Sequence, residues 1–298
     1  MKPFDLDNEQ DYQRWREQKL EAYPESLEAL IVEVQDPKNL TAAEYQAMHR
    51  VCQKTNMVVY ASSMIQEDKA IPKMLGAQFG LHNLNHNWLA DEDAITSLTI
   101  NAEGDHPQYI PYTNRPIKWH TDGYYNRADE QIYGLLLHCV HAASEGGENQ
   151  LLDHEIAYIL LRDQNPEYIQ KLMQPDAMTI PPRQDAQGDA QRQAVSGPVF
   201  SVNEISGDLH MRYTARTRSI LWKDDEVLLR AVSALEVLLE SDMPWKYKGL
   251  LQTGMGLVSN NVLHDRSGFN DDEGSRRLLY RARYYDRIQH TSVGEIYK

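Results

Sequence analysis

The chain has 298 residues, 41% of them hydrophobic and 25% charged, and its mean hydropathy is −0.62. These values are those of a globular protein with enough chain to bury a sizeable core, and no run of about 18 apolar residues is present to span a membrane. With 30 basic against 44 acidic residues the net charge is −14, which argues against nucleic acid as a partner. Two cysteines, Cys52 and Cys139, are too few for a disulfide framework, and the acidic start Met1–Trp15 lacks a basic-then-apolar leader, so a cytoplasmic protein with two buried thiols is expected.

In chain order, Asn8 to Ala22 reads as a helix that stops near Pro24. Thr41-Ala-Ala-Glu44 is a capping box opening a helix to about Lys54, and Met57–Tyr60 is a short strand. Asp68–Gln78 is helical, with a flaw or late start at Pro72. From Ile95 the pattern turns to strands and loops: Ser97–Ile100, then Ile132–Val140, the second buried on both faces. Glu155–Arg162 and Pro166–Met173 are short helices, and the polar Arg183–Arg192 has the composition of a mobile insert. Pro198–Val202 and His210–Tyr213 form a hairpin around Gly207-Asp208. Asp224–Ser241 is the clearest helix, with Val227, Leu228, Ala231, Val232 and Leu235 on one face. Strands return at Leu257–Asn260 and Leu278–Tyr285. With no repeat and no Pro/Gly/Ser linker, one domain spanning 1–298 is expected, a helical lead-in over 1–56 followed by a core over 57–298.

The chemistry concentrates in two places. His120-Thr-Asp122 is the one His-x-Asp among eleven histidines, and on an extended strand residues i and i+2 point to the same side, so both can grip one metal. An iron held by two His and one carboxylate keeps positions open for substrate and oxygen, and His264, which ends a strand-like run, can supply the second imidazole. From Arg276 to Arg287 stand five arginines against one Asp, a local reversal of sign that points to a held anion.

His120-x-Asp122, Glu145-Gly-Gly-Glu-Asn149, His264 and Arg277 together resemble the Fe(II)/2-oxoglutarate dioxygenases of the taurine dioxygenase and clavaminate synthase superfamily. The stretch from Leu136 to Pro166 looks most like their γ-butyrobetaine hydroxylase branch, and the similarity spans about residues 75–287. The resemblance implies an α+β fold with a double-stranded β-helix (jelly roll) core and flanking helices. It implies His120, Asp122 and His264 as ligands of Fe(II), Arg277 on the distal carboxylate of 2-oxoglutarate, and Asn149 as a further cosubstrate contact. Asn149 is an amide where the taurine enzymes use a hydroxyl. Arg281 matches the position at which taurine dioxygenase binds its substrate's sulfonate, a residue that the γ-butyrobetaine branch lacks there. The implied reaction consumes O2, releases succinate and CO2, and oxidises a substrate C–H; Asp122, where related halogenases carry a small residue, favours hydroxylation over halogenation.

Other residues stay open. Tyr124 and Tyr125 wall a substrate pocket or pack a strand, Asn114 and Lys118 precede the motif and are candidate substrate contacts, and Tyr284 and Tyr285 read first as core. His82 and His86 have i, i+4 spacing in an Asn-rich stretch that is no regular helix, so they are not taken as a zinc pair. The substrate expected is a small zwitterionic, amino-acid-like molecule, and a dimer or tetramer is suggested by analogy alone. Two other classes stand beside the dioxygenase: a jelly-roll protein that holds metal without turnover, and a zinc hydrolase using the same triad.

Overall fold

The computed structural model describes residues 1–86, 94–100, 110–184, 190–216, 220–272 and 276–297. It is a mixed α/β structure in which ten strands form the two larger sheets. In chain order these are β1 (Ile31–Glu33), β2 (Met57–Ala61), β3 (Thr96–Leu98), β4 (Ile117–His120), β5 (Gly134–His141), β6 (Asn149–Leu152), β7 (Lys246–Gly249), β8 (Met255–Ser259), β9 (Leu263–Arg266) and β10 (Leu278–Tyr284). The larger sheet has the order β1-β2-β8-β5-β10-β3 and the smaller the order β7-β6-β9-β4.

The larger sheet is covered on both faces, and its sequence shows why. On β5, Leu135 and Leu137 belong to the core shared with the smaller sheet, whereas Leu136 and Val140 belong to a second core under the helices α2 (Ala42–Thr55) and α3 (Ala70–Gln78). Val59 and Leu257 face the first core while Val58 and Val258 face the second, so apolar residues at successive positions serve two layers. The first core also takes Leu151, Leu152 and Leu263 from the smaller sheet and the helices α4 (His154–Gln164), α5 (Pro166–Leu172) and α6 (Glu226–Glu240). Leu228, Ala231, Val232 and Leu235 of α6 are buried as their spacing predicts, and Val227 is half-buried at the rim.

The capping box at Thr41 forms as expected, with Thr41 accepting from the Glu44 amide and Glu44 from the Thr41 amide. Both cysteines are buried and free, and His82 and His86 are exposed on irregular chain. Three expectations change. The lead-in supplies β1, an edge strand parallel to β2, so it is part of the larger sheet and not helix alone. The third strand closes at Leu98, short of Ile100. The polar stretch after Pro182 pairs its two ends, Gln184 opposite Ala190 and Arg183 opposite Arg192, because backbone groups there complete an antiparallel ladder whatever the side-chain composition; residues 185–189 lie outside the described ones. Among the described residues no helix is long and apolar enough to cross a membrane.

The first helix, α1 (Glu9–Leu20), is fastened by chemistry that its charged sequence conceals. Tyr12 and Trp15 stack edge-on against Tyr158 of α4, and one turn further Lys19 is fully buried with its Nζ 2.8 Å from Asp153 and 2.5 Å from Glu155. Tyr23 and Asn56 also donate to Asp153, and Asn260 bonds Asn56, so the lead-in is tied to the loop before β9. Replacing Lys19 by Met strands two buried carboxylates and should cost about 3–5 kcal/mol, read as a lower denaturation midpoint. Adding Asp153→Asn and Glu155→Gln should restore part of it; a single variant as stable as the parent would refute the role given to the pair.

Candidate active site

Strands β4 and β9 run antiparallel with His120 directly opposite His264, and the two ring centroids stand 4.2 Å apart. Each ring is steered by its own backbone: His120 Nδ1 lies 2.9 Å from the Lys118 carbonyl and His264 Nδ1 lies 2.9 Å from the Val262 carbonyl. A carbonyl only accepts, so Nδ1 carries the proton in both rings and Nε2 is left as a bare lone pair. Burial and the neighbouring His264 push the His120 imidazole down to about 3, so it is neutral at physiological pH.

Asp122 stands two residues beyond His120, where its backbone is clamped by Asn261. The Asp122 amide donates to Asn261 Oδ1 at 2.8 Å, and Asn261 Nδ2 donates to the carbonyls of Asp122 and Ile132. The Asp122 carboxylate takes Arg281 Nη1 at 3.2 Å and Arg283 Nη1 at 3.8 Å on Oδ1, while Oδ2 is buried with no partner among the described residues. Burial alone raises this carboxyl, but Arg281 and Arg283 outweigh it and hold it well below the usual carboxylate range.

Among the described residues no three His, Cys, Asp or Glu side chains stand as a ready metal-binding cluster: the two imidazoles meet, and the carboxylate beside them is turned to Arg281. The donor set nevertheless fits a divalent metal. It comprises two imidazoles, each fixed by a carbonyl at Nδ1 so that Nε2 is the nitrogen left for a ligand, and an ionised carboxylate with one oxygen unused among the described residues.

Arg277, just before β10, is buried with its guanidinium 5.0 Å from the Phe269 ring, and no carboxylate pairs with it within 4 Å among the described residues. Burial lowers its pKa, opposed by Cys139 and Asp271. The Gly146-Gly147 turn packs beside it. Both have positive φ, a Cβ on Gly146 would meet the Gly268 carbonyl at 2.3 Å, and one on Gly147 would lie 3.5 Å from Arg277 Nε. Asn149 follows on β6, donates to the Asp265 carbonyl at 2.6 Å and leaves Oδ1 buried without a partner among the described residues. It lines an apolar cavity between the sheets together with His264, Leu137, Leu151 and Leu257.

The predicted substrate residues separate. Arg281 reaches the site, but its charge is engaged by Asp122. Tyr124 and Tyr125 are half-buried, their rings 5.2 Å apart, with Tyr124 6.5 Å edge-on from His120. Asn114 and Lys118 are exposed, and the bond found at Asn114 is through its backbone carbonyl, which accepts from the Phe269 amide. Tyr284 is core, whereas Tyr285 is exposed and takes a bond from Asn85.

Two residues escaped the sequence reading. Arg283 donates to the Tyr125 hydroxyl at 2.7 Å and to Asn85 at 2.6 Å, and the alternation from Arg281 along one strand face would have found it. Asn261 carried no signal beyond its place three residues before His264.

Two further imidazoles are pushed down mainly by burial, His138 to about 4 and His210 to about 3. An unfolded imidazole titrates near 6.5, so below that pH the unfolded chain takes up protons that the folded chain refuses. Stability should therefore fall as pH drops from 7 toward 4, and His210→Asn should flatten that slope in denaturation midpoints collected across the range. A slope unchanged in the variant would count against it.

The family model described as "Taurine catabolism dioxygenase TauD, TfdA family" matches residues 22–283. Curated relatives include two named uridine-5'-phosphate dioxygenase. That of Amycolatopsis sp is 31% identical over 176 residues, 56% of this chain and 60% of the relative. That of Streptomyces sp is 31% identical over 199 residues, 64% of this chain and 69% of the relative. Among solved structures, the non-heme iron oxygenase OrfP in complex with Fe and alpha-ketoglutaric acid superposes with a TM-score of 0.59 at 16% identity, covering 91% of this chain and 89% of that one. Asparagine oxygenase in complex with Fe(II), 3-hydroxyasparagine and succinate gives 0.55 at 11% identity with the same coverage. At such identities these likenesses concern the fold.

Proposed function

The chain belongs to the TauD/TfdA family of dioxygenases, oxidoreductases that use Fe(II), 2-oxoglutarate and O2, and from that premise we propose that it oxidises an unactivated C–H of a small polar molecule bearing an anionic group. The observation that carries the site assignment is the cross-strand pair His120–His264 with both Nε2 atoms bare beside the ionised Asp122. In this reading the three hold the iron. Bound there, the metal supplies the oxidative decarboxylation of 2-oxoglutarate to succinate and CO2 that is coupled to substrate oxidation.

The chain's own share is placement. Arg277, buried and lacking a carboxylate partner among the described residues, offers a forked cation to the distal carboxylate of 2-oxoglutarate, and the Gly146-Gly147 turn leaves room beside it. Asn149 and the apolar walls of its cavity border His264. The Lys118 and Val262 carbonyls keep each imidazole in its Nε2-ligating tautomer. Tyr124, edge-on to His120, and Tyr125 packed against it are the residues this reading gives to the substrate side.

The same reading takes the chain as one dioxygenase domain on a double-stranded β-helix, which the two sheets around a shared core support. The substrates named for the relatives, uridine-5'-phosphate in one group and arginine derivatives or asparagine in the other, support a small molecule with an anionic group. The likeness of Leu136–Pro166 to the γ-butyrobetaine branch favours a zwitterion among these.

Anaerobic titration with Fe(II) and then 2-oxoglutarate should produce a weak visible charge-transfer band that requires both. His264→Ala and Arg277→Ala should each remove it. Tight zinc binding with no such band would instead favour the hydrolase or the metal-holding protein.

A further inference from the structure

Two registered rows of side chains meet in the first core. On the larger sheet Val59, Leu257 and Leu137 stand opposite one another on β2, β8 and β5. On the smaller sheet Tyr247, Leu151, His264 and His120 do so on β7, β6, β9 and β4. Between the rows the packing leaves a cavity in which about 20 Å³ is open to the centre of a water-sized sphere. Protein interiors keep few voids of this size, and each costs stability. This one ends on the imidazole of His264.

Its walls decide what it can hold. Val59, Leu137, Leu151 and Leu257 are buried, and Leu27, Leu250 and Met255 are half-buried, so aliphatic side chains run from the lead-in to His264. Among the described residues no lysine, arginine or carboxylate lines it, and Arg277 lies apart, against Phe269 and Gly147. The Tyr247 hydroxyl is committed to the Pro24 carbonyl at 2.7 Å, and the Asn149 amide nitrogen to the Asp265 carbonyl. One imidazole and one amide oxygen are left as side-chain partners, fewer than the about three that a buried water uses. A dicarboxylate entering here would lose its hydration and meet no cation in return. A chain of several carbons has no room. The guest that fits is small and apolar, and of the reactants Fe(II), 2-oxoglutarate and O2 only O2 is that.

Resting on the dioxygenase reading for the reaction, we propose that this cavity is the chain's O2-holding site. Leu27 and Met255 form its outer end, and Val59, Leu137, Leu151 and Leu257 hold the gas in dry surroundings beside His264. Dioxygen dissolves better in hydrocarbon than in water, so such a cavity raises its concentration next to the proposed metal without a polar contact.

The test uses dissolved O2 itself, which is paramagnetic and broadens the methyl resonances it touches. The full chain is loaded with Zn(II) in place of Fe(II), so that nothing turns over, and carries labelled leucine methyls; argon at the same pressure gives the baseline. Leu137 and Leu257 should broaden severalfold more than Leu136 and Leu235, which are equally buried but do not line the cavity. This comparison needs no variant. Met255→Phe, which narrows the outer end, should remove the excess broadening, and Met255→Leu should keep it. In O2-dependent succinate release by the Fe(II) form, Met255→Phe should raise KM for O2 at least about threefold with little change in kcat, the mark of lost binding. The charge-transfer band with 2-oxoglutarate should persist. Broadening that is equal at all four leucines would overturn the proposal. So would an unchanged KM for O2 once the excess broadening is gone. Loss of the charge-transfer band in Met255→Phe would also overturn it, since the cosubstrate would then fill the cavity. Excess broadening at Leu137 and Leu257 in a parent chain that gives no charge-transfer band would keep the apolar gas site while sinking the dioxygenase reading, so the two failures are distinguishable.

Discussion

The register of β4 against β9 is the constraint on which the proposed site depends. Side chains alternate along a strand, so a slip of one residue would carry an imidazole through the sheet to its opposite face. His120 faces His264 because β9 is held on both sides: Leu263 and His264 pair with Leu152 and Leu151 of β6, and the Asn261 side chain grips the Asp122 backbone just past the end of β4. Asn261 adopts positive φ there, which Asn tolerates better than most side chains. Beyond the pair, Arg266 donates to the Thr113 and Arg115 carbonyls and locks the far end of the ladder. The buried Lys19 network reaches the same place from the other direction, through Asp153 and Asn56 to Asn260. A helix more than a hundred residues away in sequence thus helps to hold the strand on which His264 stands.

The electrostatic arrangement inverts the surface. The chain as a whole is strongly acidic, yet Arg212, Arg266, Arg277, Arg281 and Arg283 are all buried. Two of them, Arg212 and Arg266, take backbone carbonyls as partners, and burial pushes them down to about 10 and about 9. Carbonyl dipoles satisfy hydrogen bonds without removing net charge, so the interior keeps a positive potential that anionic ligands can neutralise. An acidic exterior with such an interior disfavours polyanions, which must lie along a surface, and admits small anions that can enter a pocket.

Much of this was legible in the sequence because it is local. The capping box at Thr41, the apolar stripe of α6 and the doubly buried β5 follow from spacing alone, whereas Asp122 lies past the end of β4 and is placed by Asn261 and not by strand alternation. What the sequence left hidden depends on contacts between distant segments. β1 reads as nothing until β2 pairs with it, and Lys19 looks like an ordinary surface lysine until Asp153 and Glu155 close over it. The polar stretch after Pro182 shows the limit from the other side, since its composition speaks of a solvated chain while its backbone pairs. Alternation puts Arg281 and Arg283 on one strand face, and the structure pairs Arg281 with Asp122, a partner that alternation does not fix.

That last distinction changes what Arg281 does in the proposed site. A carboxylate has two oxygens, and a metal ligand needs one of them free and charged. Arg281 and Arg283 approach Asp122 through Oδ1 alone, which keeps the group ionised and leaves Oδ2 unused. A residue so committed cannot leave for a substrate without releasing the carboxylate it orients. A substrate anion would therefore need a cation other than Arg281. Arg281 and Arg283, two residues apart on one strand face, then serve the carboxylate end of the proposed site.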